Sequence, residues 1–357
     1  MLDRLRIWLR SESVGAAFLT DPVSIAYLTG LRLNPHERLY GLAVTATGAT
    51  VVLPALEEAA ARSVVRGATL LPWPDGSDPW AGVARALAGI GDRLAVEKAH
   101  LSLGSWEKLR SLTGVSEAVD VGPTLTRFRA CKSPEELAAL ERAAQLTDLV
   151  SEAIWERLHE GMTEVEMGRA LEAVMSELGT SAAFGSIALS GPNSALPHGR
   201  QTSRRLQQGD LVVLDFGATY EGYAADVTRV GVVGPPSAEQ AELHALVLAA
   251  HDAALAAVEP GLTAGELDQI ARAKIGAGGH ADHFNHRLGH GLGLEAHEHP
   301  SLDPGSLTVL EEGMVITIEP GVYLPGWGGV RIEDDVVVEA GGARLLTNAD
   351  RSLRSIQ

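Results

Sequence analysis

Two hydrophobic rhythms alternate along this chain. Up to about residue 128, continuous apolar runs such as GAAFLT, LAVTAT and TVVLP are separated by stretches like ALEEAAARSVV and PWAGVARALAGI. Short apolar runs bounded by turn residues read as buried strands, and the three-to-four-residue rhythm reads as amphipathic helix, so residues 1–128 are expected to form an α/β domain. The pattern changes at RFRACKS (127–133). A helix then starts with Ser133 as N-cap, Pro134 at the first helical position and Glu136 at the third, which is a capping box with a favoured proline. Apolar residues at 137, 140, 143, 144 and 150 give it one buried face, and Gly161 is expected to end it. The domain boundary is placed at 128–132, giving domains 1–128 and 132–357.

The second domain says the same thing twice. Gly161-Met-Thr163-x-x-Glu166 returns as Gly261-Leu-Thr263-x-x-Glu266, and LQQGDLVVLDFG (206–217) returns as LEEGMVITIEPG (310–321). In the latter pair Leu206, Gly209, Asp215 and Gly217 match Leu310, Gly313, Glu319 and Gly321, each 104 residues on. A second acid follows in each half, Asp226 in AADVTRV and Glu333 in VRIEDDVVV. Two related α/β halves about a pseudo-two-fold axis are expected, each with a hairpin carrying two acids.

Those acids lie in hydrophobic runs where charge is normally excluded. With Glu221-Gly222 as the turn of the first hairpin, Asp215 faces Thr228, and Asp226 projects from the same face as Asp215, diagonally across. The second hairpin, turning around GWGG (326–329), is expected to place Glu319 and Glu333 in the same way. If the halves face each other, four carboxylates converge. Two like charges about 4 Å apart repel by roughly 4 kcal/mol at an effective dielectric of about 20, so such a cluster must take up protons or cations. Two divalent cations balance four carboxylates. Oxygen ligands suit manganese, magnesium or calcium, and a histidine moves the choice towards manganese, cobalt, iron or zinc. HRLGHGLGLEAHEHP (286–300) lies between the hairpins and supplies His286, His290, His297 and His299, with glycines 289, 291 and 293 allowing close approach near His290. His198 stands in LPHGRQ, just before the first hairpin.

Charge and composition narrow the partners. With 29 basic and 46 acidic residues in 357, the net charge is −17, which argues against nucleic-acid or anionic-membrane binding. Cys131 is the single cysteine, so an intrachain disulfide and a cysteine-rich zinc site are both excluded. The start, MLDRLRIWLRSESVG, has no continuous apolar region, so no signal peptide is expected, and no apolar run is long enough to span a membrane. A cytoplasmic protein is expected.

The segments LDFGATYEGYAADVTR, GHGLGLEAHEHP, ITIEPGVY and GGVRIEDD together resemble the pita-bread metallopeptidases, and within them the Xaa-Pro peptidases, prolidase and aminopeptidase P. The resemblance implies an α/β (α+β) protein with an N-terminal creatinase-like domain and a C-terminal pita-bread catalytic domain. It implies that Asp215 binds one metal, that His290 and Glu319 bind a second, and that Asp226 and Glu333 bridge both. Two divalent ions per subunit follow, with manganese first and cobalt, zinc or iron as alternatives. His198 and His297 match substrate-facing histidines, Arg331 matches a residue supporting the bridging acid, and Glu319 is the expected proton acceptor. Tyr223 is counted among the substrate-binding candidates. The implied substrates are short proline-containing peptides, and the implied assembly is a homodimer. Some prolidases carry an arginine soon after HExP that meets a dipeptide's carboxylate; this chain has Ser301 there and no arginine until Arg331. In related prolidases a loop of the N-terminal domain reaches the active site from its own or a partner subunit, so His36 or Arg38, in LNPHERLYG (33–41), is then the candidate for that task. The reading favours a dipeptidase. Aminopeptidase P is the alternative, and a pita-bread binding protein without catalysis is the rival of another class. Creatinase works without the metals, and methionine aminopeptidase usually lacks such an N-terminal domain.

Overall fold

In the computed structural model, which describes residues 1–357, the chain divides into two units, Met1–Phe128 and Arg129–Gln357. The apolar runs of the first unit form one six-stranded sheet. Its order is Thr69–Trp73, Ala49–Pro54, Gly41–Thr45, Ala16–Leu19, Arg93–Val96 and Glu117–Asp120. Gly41–Thr45 runs antiparallel to both of its neighbours, and the other pairings are parallel. Phe18, Val52, Val83, Leu94 and Leu109 are among the residues that close the core between this sheet and its helices.

In the second unit the repeat seen in the sequence becomes a repeat of structure. Helices Pro134–Ile154 and Ala238–Ala257 open with capping boxes at Ser133 and Ser237. Helices Glu164–Glu177 and Ala264–Ala277 open with capping boxes at Thr163 and Thr263. Each box satisfies backbone N–H groups that the first helical turn leaves without partners. The backbone pairs Gly161 with Leu206 in one half and Gly261 with Leu310 in the other. The first helix stops at Ile154 and passes into a short 3-10 turn, Trp155–Arg157. Gly161 therefore does not end the helix; it adopts φ 83° in the connection to the next one.

Each pair of helices packs on a sheet. One has the order Arg354–Ile356, Val227–Val233, Leu211–Phe216, Ile187–Ser190; the other has Glu298–Ser301, His290–Gly291, Val315–Ile318, Asp334–Glu339, Gly342–Leu345. Leu211–Phe216 and Val227–Val233 pair so that Asp215 faces Thr228. Glu221 and Gly222 form the turn, both with positive φ, as a two-residue hairpin loop requires.

The second hairpin differs. Gly321 faces Arg331 and Ile318 faces Asp334, so Glu319 and Glu333 fall directly opposite one another, not diagonally. The turn is one residue longer, with Leu324 facing Gly328 where Tyr220 faces Tyr223 in the first hairpin. By position, Glu333 therefore corresponds to Thr228, and Arg331 corresponds to Asp226. The two acid pairs are related by function of place and not by register.

A buried ion network ties the two return strands together. Arg229 is 1% exposed; it donates to the carbonyls of Thr228 (2.9 Å) and Glu333 (2.6 Å) and to Asp334 (2.7 Å). Asp334 also accepts from Thr347 and Arg351 and lies 3.1 Å from His251 Nε2. Burial alone would raise the Asp334 pKa, but Arg229, His251 and Arg351 hold it below the usual carboxylate range. No helix is long and apolar enough to cross a membrane. Arg229→Ala leaves Asp334 buried beside a lost partner, and should lower the unfolding free energy by about 3–5 kcal/mol in urea titration. Arg344→Ala, at an exposed pair with Glu339, should cost less than about 1 kcal/mol.

Candidate metal centre

The hairpins converge on a cavity of about 410 Å³. Asp215, Asp226, His290, Glu319 and Glu333 line it, together with His198, His297 and Arg331. The strand holding Asp215 is buried along its whole length, so its carboxylate reaches only the cavity. Glu319 leaves the end of Val315–Ile318 just before Pro320, where the ladder breaks. His290 sits where backbones crowd. A Cβ on Gly289 would lie 2.1 Å from the Thr317 carbonyl oxygen, and one on Gly291 would lie 2.2 Å from that of His299. Only glycine permits that approach.

His290 is presented as a ligand. Its Nδ1 lies 3.1 Å from the Gly291 carbonyl, and an Nδ1–H donated there leaves the Nε2 lone pair facing the acids. Nε2 lies 3.4 Å from Glu319 Oε1 and 3.9 Å from Asp226 Oδ2. Burial, followed by the nearby His297, drives the His290 pKa down to about 3, so the imidazole is neutral. Ligand atoms of Asp226, His290 and Glu333 all lie within 4.8 Å of one another.

The acids are held in a state they do not favour. Burial first, then the charges of Glu333 and Asp215, pushes Asp226 well above the usual carboxylate range. Burial and Glu333 do the same to Glu319, and burial with Asp215 raises Glu333 to about 7. Asp226 Oδ1 is buried with no hydrogen-bond partner. A buried, unpaired carboxylate oxygen is costly, and cations are the natural partner for this donor set. One imidazole among four carboxylates fits divalent ions that accept hard oxygen ligands.

Arg331 organises the first hairpin around the acids. It pairs with Asp215 and donates to Thr228 Oγ1 (2.9 Å) and Tyr323 (2.8 Å). Thr228 in turn donates to Glu333 Oε2 at 2.6 Å. Asp335, beyond the cavity wall, accepts from the Asp226 backbone N–H. His297 packs edge-on against His290, with ring centroids 4.1 Å apart.

Tyr223 lies elsewhere, and His36 and Arg38 belong to the N-terminal unit. Tyr223 is not in the cavity lining; its hydroxyl donates to Glu136 at 3.1 Å, because the strand Tyr223–Ala224 packs against the helix Pro134–Ile154. His36 and Arg38 line a separate depression in the N-terminal unit. Arg38 is already paired there through both oxygens of Asp75, at 3.1 Å each. Sequence reasoning passed over Phe184, Ile187 and Pro197, which give the cavity its apolar wall, and Arg287, which lines it beside His286. Thr228 was legible from the hairpin register and its role was not.

Comparison with known proteins places the chain. Residues 138–340 match the model of metallopeptidase family M24, and residues 1–131 match the creatinase/prolidase N-terminal domain. The chain belongs to metallopeptidase family M24. It is 35% identical over 367 residues to an Xaa-Pro dipeptidase of Lactobacillus helveticus, covering 99% of this chain and 98% of that one. It superimposes on the prolidase of Pyrococcus horikoshii OT3 with a TM-score of 0.91 at 36% identity, covering 99% of both chains. For the X-Pro aminopeptidase of Thermotoga maritima MSB8 the TM-score is 0.92 at 31% identity, covering 100% of this chain and 99% of that chain. Membership of M24 implies a metal-dependent hydrolase, and a buried group of Asp226, His290 and Glu333 that could hold a metal ion is present. Asp226→Asn removes a candidate ligand and one like charge. Metal-free, it should melt no lower than the parent protein; the rise in Tm that divalent cations give the parent should be largely lost, as followed by calorimetry.

Proposed function

We propose that this chain is an Xaa-Pro dipeptidase that works with two divalent cations, manganese first, held by Asp215, Asp226, His290, Glu319 and Glu333. The observation that carries the reading is the single cavity in which these five donors meet two flanking histidines and an apolar wall. When bound, such cations supply Lewis-acid polarisation and a water acidified to near neutrality. Everything else falls to side chains of the protein.

Phe184, Ile187 and Pro197 offer the proline ring an apolar surface. Proline has no backbone N–H, so a site that provides no acceptor for one loses nothing with proline and leaves other residues unsatisfied. Glu319 accepts the proton from the attacking water and delivers it to the proline nitrogen as the C–N bond breaks. His297, in the cavity lining beside His290, donates to the oxygen on which negative charge develops. His198, also in the cavity lining, steadies the substrate carbonyl or the proline end. Arg331 keeps Asp215 and, through Thr228, Glu333 in place. A cytoplasmic homodimer is the form we propose, the homodimer in keeping with the family resemblance alone.

The chain fits the T. maritima X-Pro aminopeptidase as closely in structure as it fits the prolidases, so release of the N-terminal residue from longer Xaa-Pro peptides is the second reading. Hydrolysis of a matched Xaa-Pro dipeptide and Xaa-Pro-Yaa tripeptide, with manganese and with chelator, separates the two. The dipeptide should be cleaved faster, and only with the metal. A tripeptide preference selects the aminopeptidase, and no cleavage of either overturns both readings. Glu319→Gln should lower kcat on the preferred substrate by about 10²–10⁴.

A further inference from the structure

The loop of residues 191–201 carries two pieces of the cavity lining, Pro197 and His198. No hydrogen bond or ion pair holds the His198 ring, so its place depends on the loop backbone. The second hairpin holds the middle of the loop. Ser194 Oγ accepts from the Gly329 N–H at 2.9 Å, and Arg331 Nη1 reaches the Pro197 carbonyl at 3.4 Å. The two ends of the loop meet at one side chain, Glu164.

Glu164 Oε1 accepts from the N–H (2.9 Å) and the hydroxyl (3.1 Å) of Ser190 and from Asn193 Nδ2 (3.1 Å). Its Oε2 accepts from the N–H (2.9 Å) and the hydroxyl (2.7 Å) of Thr202. Ser190 ends the strand that leads into the loop, and Thr202 follows the loop. One carboxylate thus closes the loop at its base. Glu164 is fully buried and does not line the cavity. A carboxylate so placed is tolerated only where its lone pairs are met, and here both oxygens are met by donors.

The internal repeat shows that the fold does not need a carboxylate at this corner. Thr163 and Thr263 cap equivalent helices, and the next residue is Glu164 in one half and Ala264 in the other, both buried. The backbone contacts are the same in each. Glu164 and Val165 donate to the carbonyls of Arg204 and Thr202, and Ala264 and Gly265 donate to those of Thr308 and Ser306. The second half builds the corner with a methyl group. The carboxylate serves what the first half alone carries there, the loop bearing His198. We infer that Glu164 is a positioning residue that, from outside the cavity, holds this loop so that His198 faces the substrate. The inference rests on the Xaa-Pro reading above, in which His198 meets the substrate.

A double-mutant cycle on manganese-loaded protein and amide hydrogen exchange test it independently. Glu164→Gln keeps the shape but sets an amide NH2 against donors, so kcat/KM for an Xaa-Pro dipeptide should fall about tenfold. In a His198→Ala background the same change should cost less than about twofold, because the residue it acts through is gone. Asn193→Ala, which removes a single donor group, should show the same dependence on His198 with a smaller loss. Exchange of the amides of residues 190–202 should quicken about tenfold in Glu164→Gln, while those of Leu211–Phe216 stay as slow as in the parent. If Glu164→Gln fails to fold, Asn193→Ala carries both arms. Equal losses with and without His198, or unchanged exchange at 190–202, overturn the assignment and leave the Xaa-Pro reading standing. If the parent protein cleaves no Xaa-Pro peptide, that reading itself has failed, and the exchange arm alone decides whether Glu164 holds the loop.

Discussion

The centre of this protein is a set of carboxylates that burial and mutual repulsion make unfavourable as they stand. Asp226, Glu319 and Glu333 are all raised above their ordinary pKa, with desolvation the largest cause in each case. A protein gains nothing in stability from such a cluster. Its surroundings are arranged to preserve it. Arg229 grips the backbone carbonyls on both return strands, Arg331 pairs with Asp215, and Thr228 steadies Glu333. The glycines around His290 let one neutral imidazole come close enough to join.

Duplication explains how two hairpins came to face each other, and its imperfection explains how the site became asymmetric. The helix starts, their capping boxes and the Gly161 and Gly261 connections repeat faithfully. The turns do not. Paired position by position, Arg331 stands where the first half has Asp226, and Glu333 where the first half has Thr228. An exact repeat would have set like groups against like. The two halves differ in residue type at these positions, which supplies one cation and one hydroxyl among the acids, and Arg331 and Thr228 are hydrogen-bonded to each other.

Much of this was legible in the sequence. Capping boxes announce themselves locally, and a two-residue Glu221-Gly222 turn fixes the register of its hairpin outright. The glycine-rich turn near 326–329 allows more than one register, so the diagonal arrangement was carried over from the first hairpin where an opposed one holds. Tyr223 lies in a run of site residues yet faces a helix, because alternate residues of a strand point to opposite sides. Arg287 escaped notice for a related reason. The reading looked just after HExP and then to His36 and Arg38 in the N-terminal domain, whereas antiparallel pairing of His290 with Ser301 folds position 287 back beside 301.

The most direct test of the account is anomalous diffraction at the manganese edge from crystals grown with that ion. The account predicts two peaks inside the cavity, both contacted by Asp226 and Glu333, with Asp215 on one and His290 and Glu319 on the other. Peaks confined to the protein surface, with the five side chains bonded only to water or to each other, would contradict it.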